Sequence, residues 1–532
     1  LKRLRPWEKS FNSWEIAKTL KIIGLEPYFP AMNLAQAFAE SACANANRPA
    51  IFWGDRTYPF AEVNELAQRL AGHLRTTLGV KTGDRVGLWL KNCPEFVPAV
   101  FAILNCDAVV VPINNFLKPD EVGYILNDGG IDVLITDGEL ATHQAALQSL
   151  RPSVNLWCVE QLATLPAVSS VPPSQRSESD LAVIIYTSGT TGHPKGAMLS
   201  HGNLLYNVAS CRIVLATVAE DRFIVILPLF HTYMMCVGLM LPMLSGGGMI
   251  LVRSLNPIKN LLQDILQHQG TILPAIPQFY RSLAHATIPV KLPLRVCISG
   301  AAPLPVQVLK EFESRFGIPL IEGYGLSEAS PVVSKNPLNG IRKPGSIGLP
   351  IPNVEISIQD EQGQLLGNHV VGEICVRGGN VMLGYWNKPE ETARALRNGW
   401  LLTGDIGYRD DDGYYYITDR KKDMLLVNGI NVYPREIEEI LYQFPGVKEA
   451  AVIGVPDARR GEQPVAYLAP NEGTTLDPKA LHQFLMGKLA DYKVPRRFEI
   501  IPALPRNSTG KILKTTLREQ AKASPATSGQ QS

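Results

Sequence analysis

Asp180-Leu-Ala-Val-Ile-Ile-Tyr186 runs without a break into Thr187-Ser-Gly-Thr-Thr-Gly-His-Pro-Lys195-Gly196. The first half is a short apolar run with β-branched residues and reads as a buried strand. The second half holds three glycines and four hydroxyl residues in ten positions, with a lysine next to its end. Glycines let backbone N–H groups approach an anion, hydroxyls donate hydrogen bonds, and Lys195 supplies charge, so the loop suits phosphates. It is not a Walker loop, because Gly192 is followed by His193 rather than Lys. No Gly-x-Gly-x-x-Gly follows a strand, which leaves a dinucleotide fold unsupported. On composition alone, a flexible surface turn is the alternative for this loop.

Similar strands lie on both sides of it. Arg85 to Leu90, Ala108 to Pro112, Asp132 to Thr136 and Val154 to Val159 are short apolar runs separated by helical segments, among them Pro94 to Cys106. The rhythm returns in Met249 to Val252, Thr271 to Pro274, Arg295 to Ser299 and Leu320 to Tyr324. Two alternating blocks predict α/β architecture with two doubly wound, mostly parallel sheets. From Gly345 to Arg377 the pattern becomes antiparallel, with strands Val354 to Gln359 and Gly372 to Val376 around the turn Asp360-Glu-Gln-Gly363. A small antiparallel β-barrel is expected there. After Asp419, the Pro434 helix, strand Ala450 to Val455 and a helix around Leu481 to Leu489 predict a small α+β domain. The expected division is 1–419 for a large domain, 420–516 for a small one and 517–532 for a disordered Ser/Gln/Ala-rich tail.

Bulk properties exclude several classes. A chain of 532 residues is too long for one core. With 51 Lys and Arg against 49 Asp and Glu, nothing recommends a nucleic acid partner. The eight cysteines are scattered without a Cys-x-x-Cys pair, which argues against a zinc site or disulfide framework and suits the cytoplasm. Lys2, Arg3, Arg5 and Lys9 precede no apolar signal region, so the basic end is read as solvated, with at most a peripheral membrane contact. Between Arg222 and Arg253 no charged residue occurs, long enough to span a bilayer. Pro228, His231, Pro242 and Gly246 to Gly248 cut that stretch into a strand (Phe223 to Leu227), a buried helix (Met234 to Leu244) and another strand.

Tyr186 to Gly196 resembles the signature loop of the adenylate-forming superfamily, which comprises acyl-CoA synthetases, peptide-synthetase adenylation domains and beetle luciferases. Further matches follow in family order: Pro228-Leu-Phe-His231, Ser299-Gly-Ala-Ala-Pro303, Glu322-Gly-Tyr-Gly-Leu-Ser-Glu328, Gly399-Trp-Leu-Leu-Thr-Gly-Asp405, Asp419-Arg-Lys-Lys-Asp423 and Asn507-Ser-Thr-Gly-Lys511. The similarity covers roughly residues 30 to 515, and the ordered set is far more specific than any one match.

The resemblance implies an acid–thiol ligase that makes an acyl-adenylate from ATP and a carboxylic acid, releases pyrophosphate and passes the acyl group to CoA. An anionic acid must then attack an anionic phosphate, and two unit charges ~4 Å apart repel by ~4 kcal/mol at an effective dielectric of about 20. The site therefore needs Mg²⁺ and fixed cations. By the same resemblance, Glu328 and Thr187 hold Mg²⁺. Ser188, Gly189, Thr190, Thr191, Gly192 and Lys195 hold the phosphates. Tyr324 lies against adenine, with Gly300, Ala301 and Ala302 as the opposite wall and Gly323, Gly325, Leu326 and Ser327 beside it. Asp405 takes the ribose hydroxyls and Arg420 contacts ribose or phosphate. Lys511, on a mobile loop, bridges carboxylate and α-phosphate, and Lys422 is the hinge of the small domain, which the resemblance implies to be mobile. His231 sits by the acyl carboxylate in an electrostatic and positional role. Taken singly, several of these residues have ordinary readings: a surface acid for Glu328, a core aromatic for Tyr324, a turn acid for Asp405, a solvated charge run for Arg420 to Asp423 and a core histidine for His231.

No aspartate follows His231 before Ser254 to hold an ammonium, so a hydrophobic acid, medium- or long-chain fatty, is expected over an amino acid. An aryl acid is an alternative. The methionines of Met234 to Met240 line an adaptable tunnel or simply pack the core. A carrier-protein pantetheine is the alternative acceptor, and a homodimer remains open.

Overall fold

The computed structural model describes residues 32–167, 171–187, 194–286, 288, 291–457, 459–507 and 510–523. Strand Leu181–Thr187, buried over Ala182 to Ile185, lies inside a seven-stranded sheet. Its neighbours are Lys195–Ser200, antiparallel, and Val109–Pro112, parallel. Beyond these come Arg85–Trp89, Val133–Thr136 and Asn155–Cys158 on one side and the two-residue strand Gly384–Tyr385 on the other. Thr187 faces Lys195 across the antiparallel ladder, so backbone pairing holds these two positions together.

A second sheet of nine strands carries Leu320–Gly325, Val296–Ser299, Ile272–Ala275, Arg222–Val225, Gly248–Leu251 and Pro49–Trp53 in parallel. Antiparallel strands finish both edges. Helix Phe96–Asn105 is buried on every face, which is why its sequence is apolar all round rather than amphipathic. It belongs to the main core, where Phe101 stacks on Phe38 at 3.8 Å.

The expected antiparallel unit is a five-stranded half barrel. Glu355–Gln359 pairs with Gly372–Arg377, which pairs with Trp400–Arg409. The last strand also carries Leu396–Arg397 and Tyr415–Arg420. In the 360–363 turn, Gly363 takes φ +84° and its N–H donates to the Asp360 carbonyl at 3.1 Å.

The C-terminal unit is a second five-stranded sheet built on the long hairpin Val447–Asp457 and Gly461–Pro470. Helices Pro434–Leu441 and Pro478–Met486 cover one face through Ile437, Leu441, Leu481 and Leu485. Helix Lys514–Ala523 covers the other, with Leu517 fully buried among Ile453, Val465 and Tyr467. The segment expected as a tail from 517 is helical as far as Ala523, because one apolar anchor in a polar segment suffices to dock the helix, and the rest of it lies outside the described residues.

The uncharged stretch divides as read, with one difference. Met234–Met240 is a π-helical segment before the short α-helix Leu241–Ser245. Pro242 has no N–H to return to the preceding turn, and the wider register falls where that ladder is interrupted. Among the described residues no helix is long and apolar enough to cross a membrane. All eight cysteines are free.

Candidate active site

Strand ends and sharp turns bring the expected residues together. Leu320–Gly325 delivers Tyr324 at the C-terminal end of a parallel strand, where ligands of open α/β sheets bind. The Tyr324 hydroxyl donates to Asp405 Oδ2 at 2.6 Å, and Arg420 Nε lies 3.2 Å from Asp405 Oδ1. Asp405 and Arg420 are direct partners in the antiparallel ladder, so backbone register fixes that ion pair. Asp405 is almost fully buried. Burial, with the adjacent carboxylate, holds the Tyr324 phenol protonated well above its usual range.

Lys511 arrives from the C-terminal unit on a tight turn. Its N–H donates to Asn507 Oδ1 at 2.8 Å, and the Asn507 N–H donates to its carbonyl at 2.9 Å. Gly510 completes the turn at φ +83°, and a Cβ there would stand 2.3 Å from Ile276 Cδ1 of the large domain. Burial, then the Arg420 charge, lowers the Lys511 ammonium to about 8. A cavity of ≈ 430 Å³ between the two units is lined by Ala301, Ala302, Gly323, Tyr324 and Gly325 on one side. Asp405, Arg420, Lys422 and Lys511 also line it. Gly300 stands one step back, where a Cβ would be 3.1 Å from the Tyr233 ring.

The remaining predicted residues form a second group beside this cavity. His231 is half-buried, and burial together with the Lys511 charge lowers it to about 4, so it is neutral at physiological pH. Thr232 and Ser327 share a hydroxyl–hydroxyl hydrogen bond at 2.8 Å, which ties the histidine segment to the Glu328 turn. Glu328 Oε1 accepts from the Tyr385 hydroxyl at 2.8 Å. Lys195 is ion-paired with Glu391, and the Thr187 hydroxyl donates weakly to the Lys195 carbonyl at 3.5 Å. Ser188, Gly189, Thr190, Thr191 and Gly192 lie outside the described residues.

The chemistry of the donors fits Mg²⁺. Glu328 and Thr187 offer hard oxygens, and among the described residues no group of three Asp, Glu, His or Cys side chains could cage a metal. Mg²⁺ typically takes one or two protein oxygens and completes its shell with water and phosphate.

The family model described as "AMP-binding enzyme" matches residues 38–386, and that of the AMP-binding enzyme C-terminal domain matches 436–511. The chain belongs to the AMP-binding enzyme family. The long-chain-fatty-acid–CoA ligase of Bacillus subtilis (strain 168) is 36% identical to it, over 92% of this chain and 95% of the relative. A feruloyl-CoA synthase of an Amycolatopsis species is also 36% identical, over 88% and 95%. The crystal structure of ATP-bound MatB from Rhodopseudomonas palustris superposes with a TM-score of 0.86 at 32% identity, covering 92% of this chain and 99% of that one.

Other residues of this AMP-binding enzyme, not expected from the sequence, contact the site. Tyr385 and Glu391 hold Glu328 and Lys195, yet their only sequence signal is the proline-opened acidic turn Pro389-Glu-Glu391. Arg281 and Gln278, on helix Pro277–His285, contact the C-terminal unit, and no pattern in that helix marks them. Arg435 and Glu322 meet across the same cleft at 3.9 Å. Burial raises Glu322 to about 7.

Proposed function

We propose that this AMP-binding enzyme joins ATP and a hydrophobic carboxylic acid to give an acyl-adenylate and pyrophosphate, then transfers the acyl group to CoA. The observation that carries the reading is the ladder-fixed Asp405–Arg420 pair, capped by Tyr324, with Lys511 reaching the same cavity from the other domain. Asp405 accepts from two ribose hydroxyls, Tyr324 stacks on adenine, and Lys511 offsets charge between carboxylate and α-phosphate. Mg²⁺, held by Glu328 and Thr187, supplies further charge compensation at the phosphates. His231, neutral beside Lys511, orients the acid and is not its base, since a carboxylate is already ionised at neutral pH. Lys422 is the pivot about which the C-terminal unit swings between adenylation and thioester formation.

A fatty acid is the preferred substrate. The segment after His231 is buried and apolar from Met234 to Leu244, with three methionines in its π-helical part. An aryl acid is the second reading, supported by the feruloyl-CoA synthase at equal identity. Pyrophosphate release across a panel of alkyl and aryl acids, with CoA or a pantetheinylated carrier protein as acceptor, tests the proposal. Failure of every acid in the panel to give pyrophosphate sinks it, and release coupled only to the carrier protein replaces the acceptor.

A further inference from the structure

Residues 384–392 grip both charged side chains expected at the phosphates. Strand Gly384–Tyr385 pairs with Lys195–Ser200, placing Tyr385 opposite Ala197. From there the Tyr385 hydroxyl donates to Glu328 at 2.8 Å, and its ring lies 5.4 Å from the Lys195 ammonium. The Tyr385 N–H donates to Thr392 Oγ1 at 2.8 Å, locking helix Pro389–Ala395 onto the strand. That helix presents Glu391 to Lys195. The pair is shielded, with 14% of the lysine side chain and 25% of the glutamate side chain exposed.

A lysine has one ammonium. A triphosphate entering beside Lys195 must draw it away from Glu391 or share it, and sharing sets a carboxylate against phosphate oxygens around one cation. Either way Glu391 weakens the hold on any ligand that carries the β,γ-phosphates. It leaves a ligand without them untouched.

We propose that Glu391 is a positioning residue that competes with the β,γ-phosphates for Lys195, and that this competition hastens the departure of pyrophosphate. When pyrophosphate leaves, Glu391 takes the ammonium back, so Lys195 is never left as an unpaired, half-buried charge. The lowered acidity range of Glu391, set first by its hydrogen bond from Lys195, agrees with a carboxylate that stays ionised and available. The inference rests on the adenylate-forming reading above.

Glu391→Gln keeps the shape and removes the charge. In the full-length protein it is expected to strengthen product inhibition by pyrophosphate about fivefold, the effect of losing one partly screened ionic competitor. KM for ATP falls with it, kcat falls because release slows, and affinity for AMP is unchanged. Glu391→Asp, which retains the charge, stays close to wild type, and Glu391→Ala reads the same constants if the glutamine variant does not fold. Unchanged or weaker pyrophosphate inhibition overturns the proposal, as does equal tightening of AMP. Wild-type protein that releases no pyrophosphate would instead defeat the functional reading itself.

Discussion

Arg281→Ala should shift the balance between the two half-reactions without touching any reacting group. Arg281 sits on the large domain and donates across the cleft to the Val447 carbonyl at 2.9 Å, to Asn471 Oδ1 at 3.1 Å and to the Lys448 carbonyl. On the proposed function, these bonds hold the C-terminal unit in the pose that brings Lys511 into the cavity and are absent from the other pose. Half-exposed bonds contribute about 0.5 kcal/mol each at the low end of the usual range, so the set favours this pose by roughly 1.5 kcal/mol. That is about tenfold in the equilibrium between poses. The adenylation rate scales with the population of this pose and the thioester rate with that of the other. Their ratio therefore falls about tenfold whatever the starting balance. Single-turnover assays of pyrophosphate release and of thioester formation from supplied acyl-AMP measure both rates. A folded variant whose ratio moves less than twofold refutes the argument.

Lys511→Ala should abolish adenylation and largely spare thioester formation from supplied acyl-AMP; equal loss of both steps contradicts the assignment. Because Lys511 is lowered to about 8, its charged form is lost above that pH, so kcat/KM for ATP should decline from about pH 8 upward in the wild type. A flat profile to pH 10 counts against the ammonium's role. Glu328→Ala should raise the Mg²⁺ concentration needed for half-maximal rate by tenfold or more, and an unchanged metal titration would exclude it as a ligand. Lys335, buried near Cys211 and Arg295 with no hydrogen-bond partner on its ammonium, is lowered by burial to about 7. Folding then releases its proton between pH 7 and its usual value near 10, so stability rises with pH across that window. Lys335→Met should remove the rise and stabilise the protein by a few kcal/mol at pH 7 and below, seen as a higher Tm.

The sequence disclosed most of the architecture because the parallel strands are buried on both faces and announce themselves as short apolar runs. Strand Val296–Ser299 and helix Phe96–Asn105 fell within a residue or two of their expected bounds. The register that joins Asp405 to Arg420 was hidden, since no local pattern specifies which residues of two strands face each other. Tyr385 and Glu391 were hidden for a related reason: their importance lies in contacts to Glu328 and Lys195, 57 and 196 positions away in the chain. The π-helical turn was masked because the apolar pattern of Met234 to Leu244 has no period that separates it from an α-helix. Leu517 was lost in a polar tail, where a single anchor makes no pattern.

The ladder pairing of Asp405 with Arg420 has a mechanical corollary. Strand Tyr415–Arg420 is stitched to Trp400–Arg409 up to its final residue, which ties the Arg420 backbone to the half-barrel strand that carries Asp405. The proposed rotation about Lys422 would thus begin just downstream of the proposed nucleoside grip. On the proposed function, an adenylate would stay clasped by its sugar throughout the swing, while Lys511, on the far side of the joint, would withdraw.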